Sequence, residues 1–211
     1  MVELQVGTYS WQHADWRGKF YPDDLPEAWQ LDYFGNVFRV VLVPQAEWES
    51  WSPSFVQAVS ESIEDGFEIY LALNNDLKSG LENPQTVAKL TEIISLLDRS
   101  VVGFVVWSES PFASLTLLQR PITLISSQHF LPNWQWQNDG VWLSGSPLGW
   151  TAKLSNDGKE QAALLVDFVE SLSPLDEVDL KKKTIPFIIG GDKIEMEQVA
   201  NLKTISELLG Y

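Results

Sequence analysis

Short runs of apolar residues, almost uninterrupted by polar ones, recur along the chain and constrain its fold more than any other feature. Val40-Val41-Leu42-Val43, Val101-Val102-Gly103-Phe104-Val105-Val106 and Pro186-Phe187-Ile188-Ile189 are too short for helices and do not alternate apolar with polar. A strand that is apolar on both faces must be covered on both faces, which is the condition of a parallel sheet under helices. Between such runs lie stretches with apolar residues at helical spacing. Phe55, Val56, Val59 and Ile63 follow Pro53; Val87, Leu90, Ile93, Ile94 and Leu97 follow Asn83-Pro84; Ala162, Leu165, Val166 and Val169 share a face within residues 158–171. Strand alternating with helix makes the chain α/β, and both a closed barrel and an open doubly wound sheet satisfy the pattern.

The 211 residues suffice for one core and a single domain over residues 1–211. Full (β/α)8 barrels run from about 200 residues upward, so a barrel of this length is shortened somewhere. With 29 acidic against 14 basic side chains the net charge is −15, which argues against a nucleic-acid partner, since that binding depends on Lys and Arg meeting phosphates. Cysteine is absent, so disulfides, thiolate metal sites and cysteine nucleophiles are excluded. The start Met-Val-Glu-Leu-Gln-Val carries no leader pattern, and no apolar run approaches the ~20 residues of a membrane span, so a soluble cytoplasmic protein is expected.

In chain order the expected strands are residues 4–8, 38–43, 67–73, 101–107 and 122–126, with helices at 28–34, 53–65, 84–97 and a short one at 111–119. The alternation then falters. Residues 128–140 have no helical period, so a sixth strand is either the fragment Trp134 to Trp136 or missing. Residues 141–145 read as a seventh strand, residues 158–171 as a helix, Lys181-Lys182-Lys183 as a solvated connection, and residues 186–189 as the last strand before a final helix.

The densest group of polar and aromatic side chains follows the first strand. Tyr9, Trp11, His13, Asp15, Trp16, Arg17, Lys19 and Tyr21 fall within residues 9–21, at the strand end where α/β proteins bind ligands. Gly7-Thr8-x-x-Trp11, Asp15-Trp16-Arg17-Gly18 and Phe20-Tyr21-Pro22, together with the closing strand, Gly190-Gly191-Asp192-Lys193 and the helix containing Val199-Ala200-Asn201-Leu202, resemble the DUF72 family, TIM-barrel domains of unestablished biochemical function. The resemblance implies a TIM-type (β/α) barrel, shortened or incomplete around the sixth unit. The family pattern carries Glu and Asn on the second strand and Arg and His on the seventh. This chain has Val-Val-Leu-Val-Pro at residues 40–44 and Ser144-Gly145-Ser146 in those places.

Taking the carboxyl ends of the strands as one rim gathers Tyr9, Trp11, His13, Arg17, Asn74, Asp76, Trp107, Glu109, Ser127, His129, Ser144, Ser146, Gly190, Gly191, Asp192 and Lys193. Metal-assisted hydrolysis needs several His, Asp and Glu ligands, and only His13 and His129 are available with scattered carboxylates, so no metal or cofactor is assigned. Paired-carboxylate chemistry has Glu109 well placed but no partner on the seventh strand. Anion binding suits the glycines Gly190 and Gly191 with Lys193 and Arg17, although the same glycines serve a tight turn equally well. A barrel that has lost its polar set could instead act through exposed Trp48, Trp51, Trp134 or Trp136 on a protein partner. The reading adopted is a small-molecule pocket at the strand ends, with anions among the ligands it would suit. In it Trp11 and Trp16 are walls, Arg17 is the clamp, Tyr9, Tyr21, Asn74, Ser144, Gly190, Gly191 and Lys193 are further ligand contacts, and His13 and Glu109 are the acid/base candidates if catalysis exists.

Overall fold

The computed structural model describes residues 2–74, 83–110, 119–173, 175 and 184–211. The expected helix at 111–119 falls almost wholly outside these residues, as do Asp76 and Lys181-Lys182-Lys183. The strands are β1 (Glu3–Tyr9), β2 (Val40–Val43), β3 (Glu68–Asn74), β4 (Val101–Trp107), β5 (Ile122–Ser126), β6 (Trp134–Asn138), β7 (Val141–Gly145), β8 (Gly149–Thr151) and β9 (Thr184–Ile189). The helices are α1 (Gln30–Gly35), α2 (Gln45–Ser50), α3 (Pro53–Ser62), α4 (Pro84–Leu97), α5 (Gly158–Ser171) and α6 (Met196–Leu209).

All nine strands form one sheet in the order β6-β7-β5-β4-β3-β2-β1-β9-β8. From β8 round to β5 every pairing is parallel. The apolar runs explain why: every residue of β2 is fully buried, and β4 and β9 are buried along most of their length. Helix starts follow the local signals, with Ser52 accepting from the Phe55 amide ahead of α3, Asn83 from Gln85 ahead of α4, and Asp157 from Lys159 ahead of α5. Pro53 and Pro84 occupy the first helical turn, where a missing N–H costs nothing.

The sheet curls until its edges meet. β4 and β8 stand five places apart in the strand order, about 24 Å along a flat sheet, yet the Trp107 and Trp150 rings approach to 5.3 Å. At the same end the edge strands β6 and β8 are stitched by side chains rather than by a ladder. Asn138 Nδ2 donates to the Trp150 carbonyl (2.8 Å), and the Asp139 carboxylate accepts from Thr151 Oγ1 (3.0 Å) and the Ala152 amide (2.7 Å). The result is a nearly closed α/β barrel of the TIM type, wrapped by helices.

The barrel departs from regularity after β5, where the sequence pattern breaks. Residues 127–133 cross back without a helix, and β6 and β7 form an antiparallel hairpin joined at Asp139-Gly140, both with positive φ (50° and 78°). That is the backbone a two-residue hairpin turn requires. A sixth strand therefore exists, and the expectation of a parallel seventh strand at residues 141–145 is corrected. β7 runs against β5, with Ser126 opposite Trp142 and Thr123 opposite Gly145. The parallel strand in that part of the barrel is β8, three residues that carry no periodic signal.

Candidate functional site

The segment after β1 folds into a small core of its own. Trp11, Trp16 and Tyr21 are 1%, 2% and 1% exposed. Trp16 sits at its centre: the indole N–H donates to the Ile194 carbonyl (2.8 Å), His13 lies over it at 4.3 Å between ring centroids, and Phe34 stacks parallel to it at 6.5 Å. Tyr21 Oη donates to the Trp11 carbonyl (2.7 Å), and Trp11 packs on Trp51. Burial, with the Glu47 charge adding to it, raises the Tyr21 phenol well above its ordinary value and keeps it a neutral donor. These aromatics pack the scaffold and leave little surface for a ligand. His13 Nε2–H donates to the Tyr9 carbonyl (2.8 Å), which fixes the ring. Arg17 is exposed, and its guanidinium donates to the Asp23 carbonyl (2.8 Å), closing its own loop.

Three other rings converge at the carboxyl ends of the strands. Tyr9 from β1, Trp107 from β4 and Trp150 from β8 meet at centroid separations of 6.0, 5.5 and 5.3 Å, two of the three contacts edge-on. Because these strands are not neighbours, the rings meet across the barrel mouth and floor it with aromatic surface. Tyr9 and Trp107 keep part of their surface exposed, while Trp150 is buried. Gly190 is what admits Trp150: a Cβ there would stand 1.9 Å from the indole. Gly191 has φ +97° and lies against the Ala152 carbonyl, so it serves the turn. Both glycines are thus occupied by packing and turn geometry.

Beside the mouth, Glu47 on α2 accepts from Ser10 Oγ at 2.7 Å, and its other oxygen is buried with no hydrogen-bond partner among the described residues. Burial without a cation pushes its carboxyl up to about 7, against the opposing pull of the Ser10 hydrogen bond. Burial, and then Glu47, raises Tyr9 as well. Asn74 is exposed at the end of β3, its amide donating to Gln45 Oε1 (2.7 Å).

The remaining expected residues lie elsewhere. Glu109 is exposed and accepts from the Ser127 hydroxyl (2.6 Å) and amide (3.1 Å). Those bonds hold it below the usual carboxylate range, ionised and tied to the β5 end. Lys193 is exposed and paired with Glu195, which raises it. Ser144 is fully buried beside Leu124, where its hydroxyl accepts from the Leu131 amide (2.9 Å). The reversal of β7 carries Ser144, Gly145 and Ser146 toward the amino-terminal end of β5, away from the mouth, so Ser144 is not a mouth residue. Trp48, Trp51, Trp134 and Trp136 are at most 5% exposed, so the partner surface expected of them is absent.

Sequence reading missed Glu47, Ser10 and Trp150. A signal existed for Glu47, an acidic residue just past the end of an apolar strand. Among the described residues no group of three or more His, Cys, Asp or Glu is placed to hold a metal ion, and no helix is long and apolar enough to cross a membrane.

No curated protein matches the chain. A DUF72 family protein from Thermotoga maritima, known from a crystal structure, superposes with a TM-score of 0.56 over 99% of this chain and 100% of that one. At 15% identity the likeness concerns the fold alone. The family model of DUF72, described as a protein of unknown function, matches residues 5–112, more than half of the sequence. The chain belongs to the DUF72 family.

Proposed function

We propose that the protein binds a small ring-bearing molecule, neutral or cationic, at the carboxyl ends of the barrel strands, and acts as a binding domain without catalysis of its own. The observation that carries this reading is the aromatic floor of Tyr9, Trp107 and Trp150, drawn from three non-adjacent strands and partly open. Aromatic faces stack on sugar rings and planar bases and attract cations. Glu47 beside the mouth and Asp139 at the seam of β6 and β8 face no Arg or Lys in any ion pair among the described residues, and the expected anion clamps Arg17 and Lys193 are engaged with Asp23 and Glu195. An anionic ligand therefore finds less support than a neutral or cationic one.

The test is a titration of intrinsic tryptophan fluorescence with monosaccharides, nucleosides and aromatic amines. One class is expected to give a saturable change that Trp107→Ala abolishes and Trp29→Ala, at a 63% exposed residue on the outer surface, retains. Absence of saturation with every class, or saturation unaffected by Trp107→Ala, would remove the mouth as the site.

A further inference from the structure

A polar groove lies between the start of α5 and the amino-terminal turns of α6. Its volume is about 640 Å³, and among the described residues lining it Ala200 alone is apolar and Gln161 alone is buried. Gln161 is 1% exposed and stands on the inward face of α5, where Leu165 and Phe168 follow at helical spacing. A carboxamide in such a place is costly unless both its ends are paired. Both are: Nε2 donates to the Ser155 carbonyl (2.7 Å), and Oε1 accepts from Asn201 Nδ2 (2.9 Å). The first bond holds the loop leading into α5. The second orients the exposed Asn201 carboxamide, whose Oδ1 and other N–H have no partner among the described residues.

A second carboxamide pair repeats the arrangement. Gln198 Nε2 donates to Asn156 Oδ1, leaving Gln198 Oε1 and Asn156 Nδ2 without partners among the described residues. Gln198 and Asn201 are three residues apart on α6 and so are neighbours on one helical face. The groove therefore offers amide N–H donors and carbonyl acceptors side by side. Neighbouring hydroxyls match that pattern, because each can accept from an N–H and donate to a C=O. Other ligands match it less well. Glu195 and Glu197 both line the groove and repel an anion, with Lys193 paired to Glu195 alone at 2.5 Å. A simple cation finds one unpaired carboxylate, Glu197, which is exposed and attracts it weakly through water. An apolar molecule finds no wall beyond Ala200.

We propose that this groove binds a neutral, polyhydroxylated molecule of monosaccharide size through the carboxamides of Asn201 and Gln198, with Gln161 as the positioning residue that fixes Asn201. The site is separate from the barrel mouth and shares no residue with the aromatic floor. Without an aromatic face to stack on, its dissociation constant is expected to be on the order of a millimolar.

The experiment follows the side-chain amide resonances of the ¹⁵N-labelled full chain as D-glucose, D-galactose, D-mannose and D-ribose are added in turn. Inorganic phosphate and putrescine serve as anionic and cationic probes, and single substitutions assign Asn156, Gln161, Gln198 and Asn201. At least one sugar is expected to move the Asn201 and Gln198 resonances saturably, and Asn201→Ala is expected to abolish the movement at Gln198. Asn201 is exposed, so that variant tests the site without disturbing the core. Gln161→Met keeps the length of the buried side chain and removes its amide. It is expected to shift the Asn201 resonances before any sugar is added and to weaken binding about three- to tenfold. No saturable movement with any sugar, saturation by phosphate or putrescine in place of a sugar, or movement that persists in Asn201→Ala overturns the proposal. Unaltered Asn201 resonances or unaltered affinity in Gln161→Met overturns the positioning role. Trp107→Ala is expected to leave the groove titration unchanged, so the groove and the mouth stand or fall separately.

Discussion

Replacing Glu47 by Gln should make the protein more stable above neutral pH, an unusual outcome for a buried polar substitution. Gln keeps an acceptor for Ser10 Oγ and nearly the shape of the side chain, and puts an amide NH2 that cannot ionise in place of the other oxygen. The folded carboxyl titrates at about 7 against an ordinary value of 4.5. The folded state therefore holds a proton that the unfolded chain has released, and stability falls as pH rises through that interval. The stabilisation is whole below about pH 4.5 and is lost once pH has passed about 7. Two and a half pH units correspond to about 3 kcal/mol at 1.36 kcal/mol each, and partial access to water reduces this to roughly 1–2 kcal/mol. For a chain of this size that is a shift of about 3–6 °C in Tm. The assay is urea unfolding of both proteins at several pH values. The difference between them isolates Glu47 from the general repulsion of a chain carrying −15. It should vanish at acid pH and grow to its plateau by mildly alkaline pH. A difference that does not vary with pH, or a variant that is less stable at alkaline pH, refutes the reasoning.

Other consequences are simpler. Gly190→Ala should cost about 1–3 kcal/mol, because its Cβ meets the rigid Trp150 indole; urea unfolding with no measurable loss would mean the floor is loosely packed. Asp139→Ala removes the acceptor for Thr151 Oγ1 and the Ala152 amide and should destabilise by about 1–2 kcal/mol, with faster hydrogen exchange at Ala152; unchanged exchange would mean the seam between β6 and β8 does not depend on it. Trp16→Phe leaves the Ile194 carbonyl without its buried donor and should cost about 1–3 kcal/mol in the same assay, with a near-zero change ruling out that bond as an anchor. Arg17→Ala should change stability by less than about 0.5 kcal/mol and leave any phosphate dependence of Tm intact, whereas loss of an anion effect would return Arg17 to a binding role.

The parts of the fold that could be read from the sequence are those fixed by local chemistry. An apolar run such as Val40–Val43 excludes one exposed face wherever it lies, and Pro53 or Asn83-Pro84 starts a helix whatever its neighbours. The hairpin was also legible. Trp134 and Trp136 alternate with glutamines before Asp139-Gly140, and Val141 and Leu143 follow at the same period, so two strands joined by a two-residue turn are written in residues 134–145. Treating residues 141–145 as one more parallel strand overrode that turn. Because direction along a strand decides which end of the barrel a residue reaches, this single reversal took Ser144 out of the candidate site.

The mouth itself is a different matter, since nothing near Tyr9 in the sequence points to Trp107 or Trp150. What brings the three rings together is the curl of the sheet, and curl is a sum of small twists between every pair of neighbouring strands. The aromatics of residues 9–21 are crowded, yet crowding in sequence is what lets a loop pack upon itself, and Trp11, Trp16 and Tyr21 are spent on that. The rings left partly open, Tyr9 and Trp107, are ones whose partners arrive from distant strands. The same reasoning explains Glu47. A carboxyl on a short helix is ordinary until the end of β1 turns through Ser10 to meet it, and the resulting burial is a property of two elements that no window of sequence contains.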